Sequence, residues 1–126
     1  MSSALEVISE ELIDANIKFE IVNEQIQISL PNDFDTLVIE IWNDEGEDSI
    51  SLKNGSFHTH GDIEASEYGL SSREKGIRYL VESIFNGTFK MVKRKVSTGE
   101  YENTIWDSFS LACVDENDDF LVVSEI

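Results

Sequence analysis

Residues Thr36–His60 read TLVIEIWNDEGEDSISLKNGSFHTH, and this stretch decides the fold. Three runs rich in β-forming residues, 36–42, 49–53 and 56–60, are separated by an acidic turn and by Asn54-Gly55. An Asn-Gly pair is a strong hairpin signal, because both central residues of a type I′ turn need positive φ. The stretch therefore predicts a three-stranded antiparallel meander.

Period-two alternation assigns the side chains of this meander to two faces. The apolar residues that share the core-facing parity are Leu37, Ile39, Ile41, Ile50, Leu52 and Phe57. The second face is polar but contains aromatic rings, and its members are Glu40, Trp42, Ser49, Ser51, His58 and His60. Large aromatic side chains ringed by polar groups are enriched in binding hot spots, so we expect a recognition surface on this face.

Two amphipathic helices flank the strands. The first is predicted over Ser3–Asn16, where apolar residues recur at helical spacing. The second covers Ser72–Asn86 and carries one wide apolar stripe. Ser71 and Glu74 have the spacing of a capping box at its start, and Gly87 stands where helices often stop.

Further strands complete the prediction, and short loops favour antiparallel pairing because they leave no room for crossover helices. These strands are 17–22 and 25–30, joined by a turn at Asn23-Glu24, followed by 88–96, 101–114 and 120–126. Alternation in 101–114 sends Phe109, Leu111 and Cys113 inward and leaves Trp106, Ser108 and Ser110 outward. The sequence thus predicts one α+β domain over residues 1–126, an antiparallel β-sheet with an N-terminal helix and a central amphipathic helix packed on it. The first helix or the first hairpin covering Trp42 and Trp106 is the alternative to an open recognition face.

The charge is strongly negative and unevenly distributed. The 126 residues contain 9 Lys+Arg and 26 Asp+Glu, for a net charge of −17. This balance excludes a simple binder of the nucleic-acid backbone and disfavours anionic membrane surfaces. Seven of the nine basic residues lie between Arg73 and Lys95, with acidic segments on both sides. We therefore expect internal salt bridges between this basic segment and its acidic flanks.

Cysteine usage and the N-terminal residues predict a soluble cytoplasmic protein. Cys113 is the single cysteine and has no partner for an internal disulfide, which is typical of a reducing compartment. Residues 1–16 lack both the basic start and the apolar run of a secretory signal. No window approaches the roughly 18 apolar residues of a membrane span.

His58-Thr59-His60-Gly61-Asp62 is the only stretch with the pattern of a catalytic site. Two imidazoles two residues apart on a strand project from one face and can share a metal, with Asp62 as an oxygen ligand. The stretch resembles the histidine–aspartate motif of the metallo-β-lactamase fold, but Ile63 stands where that motif has a further histidine. A surface hydrogen-bonding role for both histidines is therefore favoured, and no cofactor or metal is expected. Cys113 has no basic neighbour to activate its thiol.

The segment from Ile39 to Val92 resembles small acidic bacterial immunity proteins of contact-dependent inhibition and related polymorphic toxin systems. The resemblance rests on a strand ending in Trp42, an H-x-H-x-D-like turn at 58–62, and an amphipathic helix ending at Gly87. It implies a non-enzymatic protein that binds and neutralises a cognate toxin. Cationic toxins such as nucleases suit an acidic inhibitor, because complementary potentials accelerate association.

The expected contacts with such a toxin are turn acids, loop acids and open-face aromatic residues. They are Asp44, Glu45, Glu47 and Asp48, then Asp62, Glu64 and Glu67, then His58, His60 and Trp42. Two other functions stay open at this point. One is a nucleic-acid mimic that inhibits a DNA- or RNA-binding protein, and the other is a small metal-dependent enzyme using His58, His60 and Asp62.

Overall fold

The computed structural model describes residues 3–42, 47–55, 57–95, 99–106 and 120–122. The described elements are α1 (Ser3–Asp14), β1 (Glu20–Val22), β2 (Gln25–Ser29), a 3-10 turn (Pro31–Asp33), β3 (Thr36–Ile41), β4 (Asp48–Leu52), β5 (His58–Thr59), α2 (Gly61–Glu67), α3 (Arg73–Phe85), β6 (Lys90–Lys95), β7 (Tyr101–Trp106) and β8 (Phe120–Val122). The predicted α+β class with antiparallel pairing is confirmed. The inward and outward assignments of Ser108, Phe109, Ser110, Leu111 and Cys113, and of the Trp106 side chain, lie outside the described part.

The described strands form two sheets rather than the single sheet that the sequence predicts. One has five strands in the order β1-β2-β3-β4-β5, and the other has three in the order β7-β6-β8. The predicted meander is confirmed, with Leu37 opposite Leu52 and Ile50 opposite Thr59. Sequential antiparallel neighbours follow from the short connections between these strands.

The core lies on the inner face of the five-stranded sheet, where the predicted alternation holds. Leu37, Ile39 and Ile50 are fully buried, whereas Ile41 and Phe57 are partly buried against the same cluster. The two amphipathic helices contribute their apolar stripes to that cluster through Leu5, Ile8 and Leu12 of α1 and Ile77, Leu80, Val81 and Ile84 of α3. Helices and sheet therefore share one apolar core, as the period-3.6 and period-two patterns predict.

The turn at Asn54-Gly55 differs from the predicted type I′ hairpin. Neither residue has a positive φ, whereas Asn23 and Glu24 in the first hairpin do, at 50° and 64°. Glycine is required at position 55 for a steric reason, because a Cβ added there would collide with the backbone oxygen of Asn103 in β7. The glycine thus permits a close approach between the two sheets rather than a left-handed turn.

Asp35 holds this junction between the sheets together. Its Oδ1 accepts hydrogen bonds from the backbone N–H of Asn54 at 3.1 Å and of Thr36 at 2.7 Å. Its Oδ2 accepts a hydrogen bond from Asn103 Nδ2 at 3.0 Å. The bonds from Asn54 and Asn103 are long-range, and they compete with the local preference of the Asn-Gly pair for a type I′ turn.

Helix α2 was not predicted, and the start of α3 is capped differently from the expectation. The sequence places Asp62, Glu64 and Glu67 on a loop, whereas Gly61–Glu67 is a helix that packs against α3. Gly76 allows this contact, since a Cβ added there would lie 2.4 Å from the backbone oxygen of Gly61. Ser72, rather than Ser71, is the N-cap of α3, and its hydroxyl accepts from the Lys75 N–H at 3.2 Å.

No helix in the described ranges is both long and apolar enough to cross a bilayer.

Candidate functional site

Three of the predicted open-face residues come together at one end of the five-stranded sheet. Trp42 follows β3, His58 lies in β5, and His60 immediately precedes α2. The ring centroids of His58 and His60 are 4.6 Å apart, and those of Trp42 and His60 are 6.3 Å apart, both in edge-to-face arrangements. We call this region the sheet corner, comprising Trp42, His58, His60, Glu40, Glu47 and Asp62.

Trp42 projects into solvent at the sheet corner while its polar atom is satisfied by the protein. The residue is 59% exposed. The indole N–H donates to Glu40 Oε2 at 3.4 Å, and Gln25 donates to Glu40 Oε1 at 3.0 Å. Residues two apart on a strand share a face, and Gln25 lies directly opposite Glu40 on β2. One carboxylate therefore links two strands and orients the exposed indole.

The two histidines each use one ring nitrogen within the protein. His58 Nε2 lies 3.1 Å from the Ser49 hydroxyl. His60 Nδ1 is hydrogen-bonded to the backbone oxygen of Asp48, and because a carbonyl only accepts, Nδ1 carries the hydrogen. Within the described ranges, His58 Nδ1 and His60 Nε2 are the ring nitrogens without a hydrogen bond. Asp62 does not join them, since the described residues contain no group of three His, Cys, Asp or Glu side chains that could hold a metal.

Beneath the sheet corner lies a buried ion pair, which is one of the salt bridges expected between the basic segment and its acidic flanks, although the sequence places its acid at the surface. The Asp48 and Arg73 side chains are 0% and 5% exposed, with Asp48 Oδ2 3.5 Å from Arg73 Nη1. Asp48 Oδ1 accepts from the Gly61 N–H at 2.8 Å, and Arg73 Nη1 donates to the Glu47 backbone oxygen at 3.5 Å. The pair therefore ties β4, the start of α2 and the start of α3 into one unit that supports His60.

Burial raises the pKa of the Asp48 carboxyl, because the charged form loses its hydration. The Gly61 N–H and the Arg73 guanidinium oppose this rise in pKa, and the nearby Asp62 carboxylate adds to it. Asp48 Oδ2 is buried without a hydrogen bond among the described side chains, although it faces Arg73. The carboxylate is thus held by an ion pair whose loss would leave a buried, unpaired charge.

The expectation that Asp48 and Glu64 are surface acids is wrong. Asp48 has the same strand parity as Ile50 and Leu52, so its side chain faces the core and is 1% exposed. The alternation that assigned Ile50 inward already contained this signal. Glu64 lies on the buried side of α2, where Oε1 accepts from the Thr59 hydroxyl at 3.0 Å. Neither carboxylate is placed to meet a partner.

The other predicted acids are at the surface or outside the described part. Asp62 and Glu67 are exposed on α2 rather than on a loop, and Asp62 Oδ1 accepts from the Ile63 N–H at 2.9 Å. Glu47 is also exposed, and its backbone oxygen accepts a hydrogen bond from the backbone N–H of Trp42 at 2.9 Å. Asp44 and Glu45 lie outside the described residues.

A second charged region, the helix face, lies between α1 and α3 and confirms the expected internal salt bridges. Arg78 Nη1 lies 3.0 Å from Glu11 and 2.7 Å from Asp14, and its Nε lies 2.8 Å from Glu82. Lys75 Nζ lies 2.9 Å from Glu11. Hydrogen bonds from Lys75 and Arg78 lower the pKa of the Glu11 carboxyl. We define the helix face by these five residues, whose cations and acids compensate one another.

Known proteins give no guide to the role of either region. No family model matches the sequence, and neither curated proteins nor solved structures yielded a match. The function is therefore argued from the geometry of the sheet corner and the distribution of charge.

Proposed function

We propose that this protein is a non-enzymatic immunity protein that binds a cationic toxin domain in the cytoplasm and neutralises it. The observation that carries the proposal is the exposure of Trp42, a residue 59% exposed at a corner that also presents the exposed acids Glu47 and Asp62. A tryptophan in this position contributes little to the core, whereas tryptophan is prominent among residues that dominate binding energy. The sheet corner is the proposed docking surface.

The charge distribution supports a basic partner. The net charge is −17, and Lys75 and Arg78 of the basic segment are paired with acids on the helix face. Asp62 and Glu67 on α2 are exposed and form no ion pair among the described side chains. Electrostatic steering of a basic surface towards this corner would raise the association rate at low salt. A nuclease domain, which has a basic substrate cleft, fits this description of the partner.

The test is co-expression with the product of the adjacent upstream gene, followed by purification at low salt and measurement of binding kinetics. We expect a stable complex, rescue of growth from the toxin, and an association rate that falls as salt rises. Failure of the two purified proteins to associate at low salt would overturn the proposal. A partner that binds with an unchanged rate across salt concentrations would contradict the electrostatic part.

Substitution at the corner localises the interaction. Trp42→Ala is expected to weaken the complex by about tenfold or more, as for a hot-spot residue. Ile13→Ala is the matched control, because Ile13 is 65% exposed at the end of α1, outside the sheet corner. Equal losses in the two variants would contradict the assignment of the corner as the docking surface.

A further inference from the structure

We propose that Trp42 and Glu40 form a receptor for an arginine side chain, so that the partner anchors to the sheet corner through a guanidinium group. The inference rests on the proposed function in that it names the chemistry of the contact with the partner. It adds a specific pair of side chains and a specific ligand. Its basis is the geometry of the indole, the carboxylate beside it and the absence of a described ion pair there.

The indole offers an aromatic surface rather than a polar group. The tryptophan side chain has one donor and no acceptor, and the indole N–H of Trp42 donates to Glu40 Oε2. His60 approaches edge-to-face with an interplanar angle of 68°, so it does not stack on the indole. The exposed 59% of the residue therefore presents the π-system to an incoming group. A cation placed over such a ring is attracted by its quadrupole.

The neighbouring carboxylate supplies the second half of the receptor. Glu40 accepts one bond at each oxygen, from Gln25 and from Trp42. An ionised carboxylate has about four lone-pair sites, so both oxygens retain the capacity to accept from a ligand. Gln25 and Trp42 hold the carboxylate in one orientation beside the ring. The site is thus arranged before any partner arrives, which lowers the entropy cost of binding.

Arginine matches this pairing better than other side chains do. Its planar guanidinium stacks on aromatic rings and donates in a fork to a carboxylate, whereas the lysine ammonium is a compact, strongly hydrated charge. An apolar side chain would remove water from the Glu40 carboxylate without supplying a compensating charge. An acidic side chain would be repelled by Glu40.

The chain does not fill this receptor with a cation of its own in the described part. Arg73 pairs with Asp48 beneath the sheet, and Arg78 pairs with Glu11, Asp14 and Glu82 on the helix face. No described Lys or Arg side chain forms a salt bridge with Glu40. By charge complementarity, the cation that binds beside Glu40 and Trp42 is therefore one that a partner supplies.

The direct test uses two small peptides and no toxin. The ¹⁵N-labelled protein is titrated with acetyl-Gly-Arg-Gly-amide and, separately, with acetyl-Gly-Lys-Gly-amide, while the Trp42 indole N–H resonance is followed by NMR. We expect the arginine peptide to move this resonance and to bind at least about threefold more tightly than the lysine peptide. Equal affinities for the two peptides, or no movement of the resonance with either, would overturn the proposal.

Variants check both halves of the receptor. Glu40→Gln is expected to weaken arginine-peptide binding at least about threefold, because it removes the charge that the fork contacts. For Trp42→Leu, we expect loss of binding, followed on backbone amides of β3, whereas Ile13→Ala should bind as the unmodified protein does. Binding that survives both corner substitutions would place the peptide elsewhere and overturn the receptor. The peptide comparison on the unmodified protein decides the matter if either variant fails to fold.

The outcomes separate this receptor from the proposed function. A toxin complex that forms while the arginine and lysine peptides bind equally would keep the immunity function and remove the arginine anchor. Selective arginine binding without any toxin complex would keep the receptor and remove the immunity function.

Discussion

The helix face and the sheet corner use charged side chains in opposite ways. On the helix face, Arg78 makes ion pairs with Glu11, Asp14 and Glu82 at the surface of the molecule. Beneath the sheet corner, Arg73 is buried and lies 3.5 Å from Asp48 and 3.3 Å from Glu74. Glu40 and Asp62 above it form no salt bridge with a described Lys or Arg side chain. The same acidic chain therefore compensates one surface internally and presents the other to its surroundings.

The difference shows what burial does to an ion pair. Exposed pairs are screened and contribute about 0–1 kcal/mol each. A buried pair loses hydration on both sides, so removing one partner leaves a charge that nothing else solvates. Arg73 and Arg78 lie on the same helix and have the same side chain. Arg73 is buried and stabilises the fold through its ion pair with Asp48, whereas Arg78 neutralises acids at the surface.

The largest effect is expected from Arg73→Met, which removes the cation but keeps most of the side-chain volume. We expect the free energy of unfolding to fall by about 3–5 kcal/mol, because Asp48 is left buried and unpaired. Urea unfolding measures the loss. Arg78→Met is the matched control on the same helix, with an expected loss of about 1 kcal/mol. Similar losses in the two variants would break the distinction between the buried pair and the helix face.

A second effect distinguishes the regions by pH. The pKa of Asp48 is raised from its ordinary value of 3.8, so between that value and the raised pKa the folded state binds more protons than the unfolded state. The stability contributed by protonated Asp48 is therefore lost as pH rises through this window. The pKa of Glu11 is lowered from 4.5, so its contribution is present above 4.5 and is lost as pH falls through the folded pKa.

Two variants make these opposite signs measurable. The unfolding free energy of the unmodified protein minus that of Asp48→Asn is expected to fall as pH rises above 3.8. The corresponding difference for Glu11→Gln is expected to rise with pH up to about 4.5. Denaturant titrations across pH 3 to 7 provide both curves. Slopes of the same sign would contradict the contrast between the two carboxyl groups.

Much of the fold could be predicted because its signals are local and periodic. The meander and both amphipathic helices follow from periods of two and 3.6, and the turn at Asn23-Glu24 has the positive φ values of a two-residue hairpin. The turn prediction at Asn54-Gly55 was wrong because hydrogen bonds between residues distant in sequence determine the backbone there. Asp35 accepts from both Asn54 and Asn103. Helix α2 is not predicted from the sequence because it is short. Its contact with α3 depends on Gly76, and local helix propensity does not reveal that contact.

The aromatic residues of the candidate site could be predicted from the sequence, whereas the buried ion pair beneath them could not. Strand parity correctly grouped Trp42, His58 and His60 on one face. The same parity, extended one residue before the predicted strand 49–53, places Asp48 inward, but the sequence analysis treats Asp48 as an acid of the preceding turn. Its partner Arg73 lies 25 residues further along the chain at the start of α3. A pairing over that separation is set by tertiary packing, so no local pattern identified it.

The smallest effect is expected from Trp42→Ala on the stability of the isolated protein. The residue is 59% exposed, and the hydrogen bond that its indole makes with Glu40 is long at 3.4 Å. We therefore expect a change within about 0.5 kcal/mol, as for surface substitutions away from the core. A loss above about 2 kcal/mol in urea unfolding would mean that Trp42 supports the fold rather than a partner.

This near-neutral stability is what makes the binding tests at the sheet corner interpretable. If Trp42→Ala leaves the unfolding free energy unchanged while the complex weakens about tenfold, the binding energy is carried by the exposed indole itself. Arg73→Met would weaken the same complex by a different route, because it destabilises the start of α2 and the segment that holds His60. Only the corner substitution changes binding without changing stability, and that separation distinguishes a docking surface from its structural support.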